Sequence, residues 1–157
     1  MIGALVLGGT LSLAHGAWIP AKARLAQVLL DHAWHETLRS GVSAKPWPWA
    51  DTWPVARLSA PTHKKSMVVL AGANGAALAF GPGHLTTSAP PGVSDNSVIA
   101  GHRDTHFAFL KAVKLGDVLQ LQAPDGVVYD YTVTDTQVVH ETDTRVLQRS
   151  QSAMLTL

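Results

Sequence analysis

NSVIAGHRDTHFAFL, residues 96–110, begins as an apolar run, breaks at Gly101, carries His102, Arg103, Asp104 and His106, and then turns apolar again. Its first half has the texture of a short buried strand, and the polar turn that follows is where reactive side chains stand at a strand end. From about Thr105 to Val113 the spacing of Phe109, Leu110 and Val113 predicts a short helix, with Asp104 or Thr105 as its cap. The stretch therefore predicts strand, polar turn and short helix in that order.

The same strand texture extends outward on both sides. VARL (55–58), SMVVLAG (66–72), AALAF (76–80), DVLQLQ (117–122) and VYDYTVTDTQVV (128–139) each predict a strand or strand pair, separated by Gly, Pro, Asn and Asp. APDG, residues 123–126, is a hairpin-type turn. Many strands with one short helix predict a mainly β fold, a small mixed barrel over residues 55–157.

Ahead of the barrel the composition changes three times. Residues 1–19 contain no ordinary charged side chain and reach Trp18, the pattern of a transmembrane or signal-anchor segment, with four glycines and His15 diluting it. Lys22 and Arg24 follow it directly, the side that the positive-inside rule assigns to the cytoplasm. Residues 20–41 predict an amphipathic helix with Leu25, Val28, Leu29, Ala33 and Trp34 on its apolar face and Gly41 at its end. Residues 42–54 hold three prolines and three tryptophans, which deny them a regular element; their tryptophans are expected to pack this connector on the domain.

Bulk composition excludes several classes. Charged residues make up 15% of the 157 and the formal net charge is +1, with no basic run, so no nucleic-acid footprint is present. The chain has no cysteine, which excludes a disulfide scaffold, a thiolate zinc site and a thiol nucleophile among these residues.

The histidine cluster admits more than one chemistry. On an extended strand His102, Asp104 and His106 would share one face and supply three ligands for a divalent ion, the arrangement of a metal-dependent hydrolase. A hydrogen-bonded His102 in a noncatalytic periplasmic β-domain is the plainer alternative.

A family resemblance weighs between these. NSVIAGHRDTHFAFL, followed by LGDVLQL and YTVTDTQVV, resembles the histidine region of sortases, membrane-anchored cysteine transpeptidases. DTWPVARLSAP resembles their first barrel strand, and AFGPGHLTTSAPPGVSDN the glycine-rich stretch before their histidine. WIPAKARLAQVLL with PWPWADTWPVARL is similar to class GN, the marine proteobacterial group of Gram-negative sortases. The resemblance implies a sortase-like mixed β-barrel tethered to the inner membrane and facing the periplasm. It implies an LPxTG-like sorting-signal peptide and an acceptor amine as partners, with no cofactor or metal.

In the family a thiolate attacks the signal's carbonyl, the histidine protonates the departing amine, and an arginine steadies the oxyanion. His102 matches that histidine. Gly101, Thr105 and Phe107 are the expected substrate contacts, Gly101 by leaving room for substrate backbone and the others as a wall of a peptide groove. The family's cysteine ends an LTLVTC-like strand and its arginine lies on the next, whereas these residues finish at AMLTL. The expectation is a chain that stops before its nucleophile, lacks its last strand and is inactive alone; Ser150, Ser152 and Thr156 do not match the cysteine's spacing. Arg103 is expected to form a surface ion pair with Asp104, Asp95 and Asn96 to shape their loop by hydrogen bonds to backbone, and Phe80, Leu85 and Val98 to wall either core or groove.

Overall fold

The computed structural model describes residues 22–140 and 142–157. The anchor expected at 1–19 lies outside them, and no helix among the described residues is long and apolar enough to cross a membrane.

Helix α1 (residues 22–40) buries Ala33 and Trp34 of the predicted face, but the rest of the buried stripe lies to one side of it. Ala26, Leu30, Ala33, Trp34 and Thr37 are buried, whereas Leu25 and Val28 are 59% and 64% exposed. Both stripes have helical spacing, and the choice falls to the surface that receives the helix: Leu30 and Trp34 pack with Val68, Leu70 and Ala77. Asp31 pairs with Arg57 at 2.6 Å and Gln27 donates to the Phe80 carbonyl at 2.7 Å, fixing the helix along its length. It stops at Gly41, whose φ of +72° is the left-handed conformation glycine adopts without a Cβ penalty. In the connector Trp47 meets Phe80 edge to face at 5.2 Å, so this tryptophan packs as expected, while Trp49 is 79% exposed.

Seven strands follow: β1 (Pro54–Ala60), β2 (Lys65–Ala71), β3 (Gly83–His84), β4 (Asn96–Ala100), β5 (Val118–Gln122), β6 (Val128–Thr132) and β7 (Met154–Thr156). They form one sheet in the order β6-β5-β1-β2-β3-β4-β7, curled into a nearly closed barrel. β2–β3 and β4–β7 are parallel and the other pairs antiparallel. β1 alternates buried and half-buried residues along its length, sending Ala56, Leu58 and Ala60 into a core with Val69, Ile99, Leu121, Phe107 and Phe109. Between the edge strands, β6 reaches the β3–β4 connection: the Gly92 amide donates to the Tyr131 hydroxyl at 2.9 Å. The Tyr129 ring occupies the space a Cβ on Gly92 would need.

Three expectations about elements change. AALAF is not a strand; it lies in α2 (Gly75–Leu78) and its end, where the Asn74 side chain accepts from the Ala77 amide at 2.9 Å. A short apolar run carries no periodicity that separates strand from helix, and alanine with an asparagine cap favours the helix. The short β3 was unmarked because two residues show no alternation. VYDYTVTDTQVV is strand only to Thr132; residues 133–139 have no regular structure. The APDG turn joins β5 to β6 as read, with Ala123 N–H to the Val127 carbonyl at 2.8 Å and Gly126 at φ +85°.

Trp34→Ala is expected to cost about 3–5 kcal/mol in denaturant unfolding, because the ring is fully buried between α1 and the sheet. Trp49→Ala is expected to change stability by less than about 0.5 kcal/mol. Equal effects would show that α1 is not part of the folded unit.

Candidate active site

β4 carries the site. Asn96, Ser97, Val98 and Ile99 are buried, Ala100 is half-buried, and the chain then leaves the sheet through Gly101. The His102 carbonyl organises the turn that follows by accepting from the Thr105 amide at 3.2 Å and the Phe107 amide at 3.1 Å. The expected helix is this turn followed by a 3-10 segment, Ala108–Ala112. Its N-cap is Phe107, which offers no capping side chain, and Asp104, three residues earlier, bonds Lys111 Nζ at 3.1 Å.

The imidazole of His102 is exposed and, among the described residues, has no hydrogen-bond or ion-pair partner. Arg103 and Asp104 form the expected exposed pair, at 3.5 Å. His106 differs from His102: its Nδ1 is buried with no hydrogen-bond partner among the described residues, and burial, aided by the nearby charge of His102, pushes its pKa below the ordinary histidine value.

The face proposed for a metal does not form. His102, Asp104 and His106 lie at the start of and within a turn instead of along a strand, so period-two alternation never aligns them. Among the described residues no group of three His, Cys, Asp or Glu side chains is placed to hold an ion.

The three expected substrate contacts separate. Thr105 is exposed beside His102. Phe107 is 4% exposed and meets Phe109 edge to face at 6.2 Å, so its ring is spent on the core. A Cβ on Gly101 would lie 2.9 Å from the Phe107 ring, so this glycine admits a core aromatic beneath the site.

A groove opens beside β4. Leu85, Val93, Val98 and Leu147 supply apolar wall, and Asp95 and Arg149 stand at its polar end. Leu85 and Val98 thus belong to the groove, and Phe80 packs against the α1 core. His84 and Ser88 lie 3.2 Å apart on one side of it, but His84 Nε2 is 2.9 Å from the Ala89 carbonyl and must donate there. Ser88 donates to the Leu85 carbonyl and accepts from the Val98 amide, so the pair braces the loop and activates no nucleophile. His84 lies within the glycine-rich stretch marked by the resemblance, whereas the groove's far wall at residues 147–149 had no motif to mark it.

The Asp95 carboxylate receives the Ser150 amide at 2.8 Å, the Asn96 amide at 2.8 Å and Arg149 Nε at 2.7 Å. These donors, the Ser150 amide foremost, hold its pKa down at about 2. Asx bonding to loop backbone was the expectation for Asp95 and Asn96, and the structure shows it reaching 50 residues and more along the chain.

The family model of the sortase domain matches residues 58–157, the whole barrel from within β1 through β7. The chain belongs to the sortase family. Sortase A of Listeria monocytogenes is 31% identical over 107 residues, covering 66% of this chain and 47% of the relative, so the chain spans about half the length of that protein. Among solved structures, sortase A from Corynebacterium diphtheriae is 31% identical with a TM-score of 0.59, covering 66% of this chain and 51% of its own. A Clostridium perfringens sortase D5 transpeptidase shares the fold with a TM-score of 0.63 over 80% of both chains, at 18% identity.

Two outcomes test this geometry. Gly101→Ala is expected to cost about 1–3 kcal/mol in denaturant unfolding, since its methyl group presses on a ring already packed in the core; unchanged stability would show that the space serves something else. A lowered carboxylate pKa contributes stability that is whole above the ordinary value of 3.8 and is lost as pH falls through about 2. The stability difference between the wild type and Asp95→Asn is therefore expected to be constant at pH 5–7 and to shrink between about pH 4 and pH 2. A pH-independent difference would mean that Asp95 acts through shape instead of charge.

Proposed function

We propose that this domain is the histidine-bearing part of a cysteine transpeptidase, of the class GN type that its N-terminal motifs resemble, and that His102 is the acid–base partner of a thiolate. The observation that carries the reading is the β4–β7 register. Asn96 lies opposite Met154, Ser97 opposite Leu155 and Val98 opposite Thr156, so β7 runs in step with β4 toward Gly101 and His102. Continued at that register, the first position after Leu157 stands opposite Ala100, the last residue of β4, and the family's LTLVTC-like strand has its cysteine two residues further, at the end where β4 leads into His102.

The chemistry follows from the geometry. Thiolate sulfur bonds to the carbonyl carbon of an LPxTG-like sorting signal, and collapse of the tetrahedral adduct breaks the C–N bond while the His102 imidazolium gives its proton to the departing amine. An acceptor amine, losing a proton to the now neutral His102, then attacks the thioester and releases the thiolate, which restores the thiolate–imidazolium pair. Exposed and without a hydrogen-bond or ion-pair partner among the described residues, the His102 ring is placed for both transfers. The groove beside the start of β4 offers apolar walls for the peptide. In this reading residues 1–19 tether the domain to the inner membrane and the site faces the periplasm, where peptide and amine are presented.

These 157 residues contain no cysteine, so by themselves they are expected neither to cleave nor to transfer an LPxTG-like peptide. Cleavage that persists in His102→Ala would move the site elsewhere. Lengthening the chain after Leu157 by Val-Thr-Cys tests the partnership directly. The rate of thiol alkylation is expected to reach half its maximum at least about one pH unit below the ordinary thiol value near 8.5, an effect lost in His102→Ala. Identical profiles with and without His102 would end the reading.

A further inference from the structure

We infer that Asp95 and Asn96 are positioning residues: a two-residue clamp that ties residues 146–156 to the start of β4 and thereby sets the register in which β7 approaches His102. Only the catalytic consequence rests on the transpeptidase reading; the clamp itself stands on geometry.

β7 needs such a device. It pairs with β4 over three residues only, Met154–Thr156, and does so in parallel, the less stable arrangement per residue. It is also an edge strand, reached from β6 through residues 133–153, whose described residues contain no strand. A pairing this short, reached through so long a connection, resists a slip of register weakly by itself. A slip by one residue would turn each side chain of β7 to the other face and carry the strand past the histidine by about 3.3 Å.

The clamp engages the returning chain at successive points. Asn96 Nδ2 donates to the Val146 carbonyl at 3.0 Å and to the Gln148 carbonyl at 3.1 Å. The Asp95 carboxylate takes the Ser150 amide and Arg149 Nε. The Asp95 carbonyl accepts from the Met154 amide at 3.0 Å, and Asn96 Oδ1 accepts from the Thr156 hydroxyl at 2.8 Å. Asn96 is 3% exposed, so none of its bonds can be exchanged for water without opening the site. Both side-chain donor hydrogens and the acceptor oxygen of one buried amide are thus committed to residues 50 to 60 positions away. An asparagine fits that demand where an aspartate does not, because both carbonyls require a donor. Leu147, held between two of the clamped carbonyls, forms part of the groove wall. The same two residues therefore place the strand and one side of the groove.

The test is native-state amide exchange and cross-strand NOE measurement on the 157-residue chain, comparing Asn96→Asp, Asn96→Ala and the milder Thr156→Val with wild type. Asn96→Asp keeps the volume and the acceptor but loses both donors. Exchange at the Ser150 and Met154 amides is expected to rise by roughly tenfold or more in both Asn96 variants, with the Leu70 amide in β2 unchanged. The Ser97–Leu155 and Val98–Thr156 contacts should weaken while those between β1 and β2 persist. Thr156→Val, which leaves the Val146 and Gln148 bonds intact, should raise exchange at Met154 more than at Ser150. Equal acceleration at Leu70 would make the pair a contributor to global stability only, and no acceleration at Ser150 and Met154 would remove the clamp. In the chain lengthened by Val-Thr-Cys, Asn96→Asp should return thiol alkylation to the profile of His102→Ala; an unchanged profile on a loosened strap would overturn the positioning role. Failure of His102 to affect the thiol at all would end the transpeptidase reading and leave the exchange result to decide the clamp.

Discussion

The arrangement depends on β4 being bonded along both edges. On one side it pairs antiparallel with β3 and on the other parallel with β7, and four of its five residues are buried. A strand so confined cannot tilt or slide without breaking ladders on both sides, and each buried backbone group left without a partner is costly. Whatever follows such a strand starts from a defined point. His102 follows it by two residues, which is how an exposed side chain on a turn acquires a defined position.

Burial beneath the site supports that position. Gly101 leaves space for the Phe107 ring, Phe107 packs on Phe109, and the His102 carbonyl anchors the turn between them. The residues adjoining the histidine thus divide into an inner set that holds the turn against the core and an outer set, Arg103, Asp104 and Thr105, that faces solvent. Exposed ion pairs of the outer set add little to stability. The inner packing, worth several kcal/mol by ordinary core values, keeps the imidazole where β7 can meet it.

The two connections on either side of β4 share the work of shaping the groove. One, residues 85–95, is held from β6 by the Tyr131 hydroxyl and braced internally by His84 and Ser88. The other, residues 143–150, is held by Asp95 and Asn96. A chain with few charges and no disulfide here orders its long loops through hydrogen bonds from a few partly or fully buried polar side chains. Such loops are where binding functions concentrate in folds of this kind.

Much was legible in the linear order of residues. The alternation in VARL, the apolar run of SVIA, the DVLQLQ strand, the hairpin turn at 123–126 and the helix of residues 22–40 report local preferences, and local preferences survive into the fold. The combination around His102 was specific enough to point to the sortase family, to which the chain belongs. Other features were decided only in three dimensions. Periodicity identified α1 and the burial of Ala33 and Trp34 but not the whole of the face it buries, since that depends on the sheet surface it meets; Leu25 and Val28 had the spacing of a core stripe and ended in solvent. The helical state of AALAF depended on a cap from Asn74, and the turn after Gly101 dissolved the strand face that would have aligned His102, Asp104 and His106. The bonds from Asp95 and Asn96 join residues 50 or more positions apart. No local pattern encodes such a partner, because hydrogen bonding between distant segments is set by how the sheet brings them together.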